Sequence, residues 1–141
     1  MAGNYTADRA EAVISRLKFI ARIRPGEKVD IASLSVHPVT YTWRLYRAVF
    51  ARGESRYTTL DYIRQALDDA FEIAPEFLAG GDDCSRTIGQ MIVESLSASK
   101  SGIQGLAKTY EDDRMYVARI ESLVAILNVK IASLPKIESD E

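Results

Sequence analysis

A run of apolar residues three and four positions apart constrains the fold of the last third of this chain more than any other feature. From residue 117 to residue 134 these two spacings alternate, which is typical of a helix that buries one seam against another helix. The members of this seam are Val117, Ile120, Val124, Leu127, Ile131 and Leu134. The pattern therefore predicts a long C-terminal helix with one apolar stripe.

A second long helix is predicted directly before it. Asp82 or Asp83 can cap its start, and Asp112 or Asp113 can cap the helix that follows, because an Asp side chain accepts hydrogen bonds from the first free amides of a helix. The turn at residues 111–113 is short, so we expect the two helices to be antiparallel neighbours.

Two or three further helices are predicted in the first part of the chain. One follows Thr6 or Asp8 and ends at Pro25, and another spans roughly residues 40–52. Residues 27–40 break the helical pattern and are expected to form a packed connector or a short extended piece. A regular strand is not expected here, because it would have no evident partner to pair with.

The remaining predicted helix begins near Thr58 and ends at Gly80. Thr58 and Asp61 fit a loose capping box. Pro75 is expected to kink this helix or to end its regular part, because proline removes an amide donor and crowds the preceding turn.

These elements predict an all-α protein, a bundle of four to five helices with a long antiparallel C-terminal helical hairpin. At 141 residues the chain is expected to be a single helical domain, residues 1–141, with residues 1–7 and 136–141 as flexible ends. No run of about 18 apolar residues occurs, so we expect no membrane-spanning helix. The N-terminal residues resemble no secretory signal, and we expect an intracellular location.

The charges are sorted along the chain. Residues 1–64 carry eleven basic and six acidic residues, a net charge of +5, whereas residues 65–141 carry seven and fourteen, a net charge of −7. A chain divided in this way can close on itself, pack against a copy of itself, or hold an anion with its basic half. We expect the first of these, with basic and acidic stretches pairing across packed helices.

No catalytic or metal-binding pattern is visible. The chain has one histidine, His37, and one cysteine, Cys84, which are too few for a structural zinc site or an intrachain disulfide. The Asp82-Asp83 and Asp112-Asp113 pairs lack the spacing of a calcium loop and are explained by helix capping. Phosphate-binding glycine loops are also absent. We therefore expect neither an enzyme nor a metal site nor a cofactor.

An arginine-rich stretch over residues 44–64 has two interpretations. Its arginines alternate with aromatic residues, which suits phosphate contacts and stacking, so the stretch could bind nucleic acid or a phosphorylated partner. Alternatively the aromatic residues are core, and the arginines pair with Asp68, Asp69, Glu72 and Glu76. The candidate anion-binding or partner-binding residues are Arg44, Arg47, Arg52, Arg56 and Trp43.

The C-terminal seam also has two interpretations. It can be core within one chain, or it can leave apolar area for a second chain, in which case a homodimer is expected because two-fold dimers are the commonest oligomers. The self-association candidates are Val117, Ile120, Val124, Leu127 and Ile131.

Three stretches carry a resemblance to a known family. They are residues 51–63 with the strings ARGESR and TLDYI, residues 105–113 with GLAKTYEDD, and residues 23–29 with IRPGEKV. Together they resemble a small, mostly helical family of large nucleocytoplasmic DNA viruses, the marseillevirus group in particular, over roughly residues 8–134. The resemblance implies a viral protein in the host cytoplasm or the virion, and it carries over no activity and no site residues.

The function expected from these observations is that of a non-enzymatic viral structural or protein-interaction protein that associates with itself. Its partner would be a second copy or another viral or host protein. The alternative is a nucleic-acid-binding accessory protein that uses the arginine-rich surface of residues 44–64.

Overall fold

The structure, a computed structural model of the 141-residue chain, describes residues 7–26 and 56–136. This part of the chain forms four helices and contains no strand. They are α1 (Ala7–Ala21), α2 (Arg56–Leu78), α3 (Asp83–Thr109) and α4 (Arg114–Ala132). The predicted all-α bundle is confirmed at this level. The helix predicted at residues 40–52, the connector at residues 27–40 and most of the predicted flexible ends lie outside the described residues.

Helix α3 is the centre of the bundle and packs against each of the other three helices. Its apolar stripe is fully buried and meets the stripes of α1 and α2. Burial of such side chains stabilises a fold by about 1.5–3 kcal/mol each, so this shared stripe is the main source of stability. The fully buried members that α1, α2 and α3 contribute include Leu17, Ile20, Ile63, Ile73, Ile92, Leu96 and Ile103.

Two glycines allow α1 to lie close against α3. A Cβ atom at Gly102 would collide with the backbone carbonyl oxygen of Ile20, and one at Gly105 would lie 3.3 Å from the carbonyl oxygen of Ile23. These glycines weaken an isolated helix by roughly 1 kcal/mol each relative to alanine. Here they let two backbones approach, and the lost helical propensity is offset by tighter packing.

The predicted caps of the last two helices are confirmed. Asp82 caps α3 by accepting a hydrogen bond from the amide of Ser85 at 3.3 Å, and Asp113 caps α4 by accepting one from the amide of Tyr116 at 3.1 Å. Each bond satisfies an amide that the helix itself leaves without an acceptor.

The start of α2 differs from the prediction, whereas its end just before Gly80 agrees with it. The helix begins at Arg56, so Thr58 lies inside its first turn and the prediction of Thr58 as a cap is wrong. Pro75 does not end the helix, which continues to Leu78. Phe77 and Leu78 are both buried against the core, and this packing holds the last turn in place despite the missing amide donor.

Ion pairs join the basic half of the chain to the acidic half, as the charge distribution predicts. Three described pairs connect a base among residues 1–64 with an acid among residues 65–141. They are Arg9–Glu72 at 3.8 Å, Arg16–Asp69 at 3.3 Å and Arg56–Asp113 at 3.2 Å. Only 2% of the Arg16 side chain is exposed, so this pair is the one least screened by water.

Residues 26 and 56, which end the first described segment and begin the second, both contact the turn between α3 and α4. The amide of Gly26, just after α1, donates a hydrogen bond to Thr109 Oγ1 at 2.6 Å. Arg56, the first residue of α2, pairs with Asp113 at the other side of the same turn. Residues 26 and 56 are therefore both fastened to this one end of the bundle.

Candidate interaction surface

The predicted heptad seam of α4 faces the interior of the bundle. Ile120 and Leu127 are buried, whereas Val117, Val124 and Ile131 are half-buried. Ile131 and Val124 also pack against the core. The seam therefore contributes to the core of one chain, and self-association through these five residues stays a prediction.

The opposite face of α4 carries a second apolar repeat. Two of its members, Met115 and Val129, are 62% and 70% exposed, and Ile126 beside them is 52% exposed; these are the most exposed large apolar side chains in the described part of the chain. The exposed residues at alternating spacings of three and four are Met115, Ala118, Ser122, Ala125, Val129 and Ala132. We call these six residues the outer face of α4. Because helix packing uses such repeats, this face has the form of an unpartnered seam.

A groove runs beside the outer face, where α2 and α4 touch only lightly. It has a volume of about 540 Å³. Leu60, Asp61 and Arg64 line it from α2, and Arg119, Leu123 and Ile126 are among the residues that line it from α4. The groove extends the accessible apolar surface of α4 toward α2 and borders it with both signs of charge.

One of the predicted arginine candidates, Arg56, belongs to a cluster of aromatic and charged side chains at the start of α2. The guanidinium of Arg56 lies 4.2 Å from the ring centre of Tyr110 and pairs with Asp113. The ring of Tyr116 lies edge-on to Tyr57 and to Tyr110, with centre distances of 5.4 Å in both cases. Such edge-to-face pairs are worth about 0.5–1.5 kcal/mol each beyond the area that they bury.

Asp113 is the hydrogen-bond acceptor at the centre of this cluster. It accepts from the amide of Tyr116, from the hydroxyl of Tyr57 at 2.9 and 3.0 Å, and from Arg56. These bonds, the one from the Tyr116 amide above all, lower the pKa of the Asp113 carboxyl below its usual value. Burial, and then the hydrogen bond to Asp113, raise the pKa of the Tyr57 hydroxyl. The cluster thus joins α2 to the α3–α4 turn.

The Tyr116 hydroxyl lies in the interior beside this cluster. It has no hydrogen-bond partner within the described ranges, and its burial raises the pKa of the phenol. The group stays a neutral hydroxyl, and its ring fixes the position of its two tyrosine neighbours.

The predicted partner of one arginine is corrected: Arg56 pairs with Asp113 rather than with the acids of α2. Asp69 and Glu72 form ion pairs with Arg16 and Arg9 of α1. These acids lie on the side of α2 that meets α1, a long-range arrangement that sequence spacing does not reveal. The other candidates, Arg44, Arg47, Arg52 and Trp43, lie outside the described residues.

A second groove, with a volume of about 570 Å³, lies where the end of α1 crosses α3. Three cationic residues line it, namely Arg22, Arg24 and Lys108, together with the polar residues Ser101 and Gln104. None of the described residues that line it is acidic. All of the charged residues among those that line this groove are therefore basic.

The described part of the chain contains no candidate catalytic site. Cys84 is exposed at the start of α3, and His37 lies outside the described residues. Within residues 7–26 and 56–136 no three residues of the types that bind metals come together. None of the described helices is both long enough and apolar enough to cross a membrane.

Comparison with known proteins gives no relative. No family model, no curated protein and no solved structure matches this chain. The resemblance to a family of large DNA viruses therefore stays a prediction from the sequence, and the function has to be argued from the surface itself.

Proposed function

We propose that this protein is a non-enzymatic interaction protein that associates with itself through the outer face of α4. The observation that carries the proposal is the exposure of Met115 and Val129 on this face and of Ile126 in the groove beside it. Large exposed apolar side chains grouped on one side of a helix are the kind of surface that marks interaction sites.

Two finer features belong to this proposal. We take α3 and α4 as an antiparallel hairpin, in support of which the turn between them is short and Lys100 Nζ donates a hydrogen bond to Asn128 Oδ1 at 2.9 Å. A fifth helix at residues 40–52 would complete the predicted bundle. The viral setting, in host cytoplasm or virion, is kept as the context that the sequence resemblance implies.

Sedimentation velocity over a micromolar concentration range tests self-association. The monomer has a mass of 15.7 kDa. We expect the fraction of the protein that sediments at twice this mass to increase as the protein concentration rises. Val129→Glu places a charge within the apolar contact and is expected to leave only the monomer.

Met91→Glu is the matched control, because Met91 is also an exposed large apolar residue but lies on α3. Circular dichroism checks that both variants fold. The proposal fails if the wild-type protein sediments as a monomer at every concentration, or if the two variants reduce association equally.

The second candidate function is nucleic-acid binding, and the cationic groove between α1 and α3 favours it. Its lining combines Arg22, Arg24 and Lys108 with no described acid. Arginine and lysine side chains in a groove follow a phosphate backbone, and such binding weakens steeply as salt displaces the contacts.

Fluorescence anisotropy of a labelled single-stranded oligonucleotide at low salt tests this candidate. Arg22→Glu/Lys108→Glu is expected to abolish binding, whereas Arg114→Glu/Lys136→Glu, an equal double charge reversal at exposed positions outside this groove, is expected to keep most of it. Arg44→Glu/Arg47→Glu tests the predicted arginine-rich surface in the same assay. A flat titration of the wild-type protein would remove the candidate altogether.

A further inference from the structure

We infer that two copies of this chain pair through α4 in an antiparallel arrangement with one particular register, in which Ala118 faces Val129 of the second copy. This inference rests on the proposed self-association and specifies its geometry. In the same register Met115 faces Ala132, and Ser122 faces Ala125.

Side-chain size is the first argument for this register. Each outer-face position meets another outer-face position of the second copy, so the whole repeat is used and no member is left over. The large residues Met115 and Val129 each face an alanine, and the two small residues Ser122 and Ala125 meet in the middle. Alternating large and small residues across a contact fills space evenly, which is what close helix packing needs.

A parallel pair would use the same surface less well. Met115 would then face Met115 and Val129 would face Val129, with the small residues Ala118, Ser122 and Ala125 opposite their own copies. The helices would be held apart at the large residues and leave gaps at the small ones. Gaps between apolar side chains forfeit the contacts on which association depends.

Charge at the ends of α4 is the second and independent argument. Glu111 and Asp112, just before the helix, are exposed, and Lys130 and Lys136 are exposed near its end. In the antiparallel arrangement the acidic start of each α4 lies near the basic end of the other copy, and this juxtaposition occurs twice. A parallel pair would bring acid to acid and base to base. In an antiparallel pair the positive end of each helix dipole also lies beside the negative end of the other, which is favourable.

The size of the contact surface determines the affinity that we expect for the dimer. Helix α4 has 19 residues, which corresponds to a length of about 28 Å and a width of about 10 Å. The groove beside it adds Leu60 of α2 to the contact. Such an interface is at the small end of those that form stable complexes, so we expect a reversible dimer in the micromolar range or weaker.

Disulfide trapping tests the register. In a background of Cys84→Ser, which removes the only native thiol, the double variant Ala118→Cys/Val129→Cys is oxidised and resolved on a non-reducing gel. The two positions are eleven residues apart, about 16 Å along one helix, which is too far for a bond within one chain. We expect the double variant to become mostly covalent dimer, and each single variant to stay mostly monomeric.

The single variants separate the arrangements because a parallel pair would bring identical positions together. Covalent dimer from Ala118→Cys alone, at the level of the double variant, would overturn the antiparallel register. Failure of all variants to cross-link, while sedimentation still gives a dimer, would also overturn it and leave the proposed self-association intact. Sedimentation as a monomer would contradict both.

Discussion

Helices α1 and α4 are packed against the same central helix in very different ways. Six of the fifteen residues of α1 are buried, and its backbone rests directly on Gly102 of α3. Only three of the nineteen residues of α4 are buried, and its opposite face is apolar and exposed. Helix α1 has therefore completed its packing within one chain, whereas α4 has apolar surface left for another. The difference separates residues that serve stability from residues that serve association.

The largest effect is expected from Gly102→Ala, which breaks the contact between α1 and α3. The added methyl group collides with the backbone of Ile20, which cannot turn aside as a side chain can. We expect the free energy of unfolding to fall by about 3 kcal/mol, the upper part of the range for overpacking. Urea denaturation measures it.

Gly105→Ala is the control for this prediction. Its Cβ atom would meet the carbonyl oxygen of Ile23 at 3.3 Å, a contact that a small shift relieves, and alanine favours the helix by roughly 1 kcal/mol. Equal losses in the two variants would show that α1 does not lie on α3 as described.

The next largest change in unfolding free energy is expected from a comparison of substitutions on the two faces of α4. Leu127→Ala empties a buried position and is expected to reduce the free energy of unfolding by about 2–3 kcal/mol. Val129→Ala removes an exposed side chain and is expected to change it by less than about 0.5 kcal/mol in dilute, monomeric protein. Denaturation at low and high protein concentration checks both values, because only Val129→Ala is expected to lose stability at high concentration alone. The reverse pattern would place the association surface on the inner seam.

A smaller effect is expected from the ion pair of α1. Arg16→Met keeps the apolar stem but removes the charge that faces Asp69. Breaking a buried pair costs about 3–5 kcal/mol, and because Asp69 is partly exposed we expect about 2 kcal/mol. Arg9→Met breaks the exposed pair with Glu72 and is expected to cost less than about 0.5 kcal/mol. Thermal unfolding of the two variants compares them directly, and similar losses would contradict the difference in burial.

The smallest effect is a pH dependence at the α3–α4 turn. Folding lowers the pKa of Asp113, so its contribution to stability is complete above the ordinary carboxyl pKa and is lost as pH falls through the lowered value. Asp113→Asn keeps a capping side chain but is expected to reduce the loss of unfolding free energy at low pH. Urea unfolding from about pH 6 to about pH 3 measures it. Asp112→Asn, which removes the exposed neighbouring carboxylate, is expected to leave the slope unchanged.

Local features of this fold could be predicted from the sequence, and long-range ones could not. The caps at Asp82 and Asp113 depend on residues within three positions, and both are confirmed. The partner of Arg56 depends on how α2 meets a turn more than fifty residues away, and spacing along the chain does not encode it.

The outer face of α4 is not predicted from the sequence for a different reason. Its spacing of three and four is present in the sequence, but four of its six residues are alanine or serine, which give little hydropathic signal beside the stronger inner seam. The inner seam itself is predicted from its spacing. Whether it packs against the core or against a second chain depends on the placement of α3. Exposure in the folded chain is what distinguishes the two faces.

The attachment of Gly26 and Arg56 to one turn has a consequence for how this protein can change in evolution. Residues 26 and 56 are both held at the same end of the bundle, so the packing of the four described helices places little constraint on the number of residues between them. Lengthening a connection between two fixed ends adds only a slowly growing closure entropy, about 0.6 kcal/mol for each doubling. Relatives that keep Thr109 and Asp113 are therefore expected to tolerate large insertions or deletions there while the framework is retained.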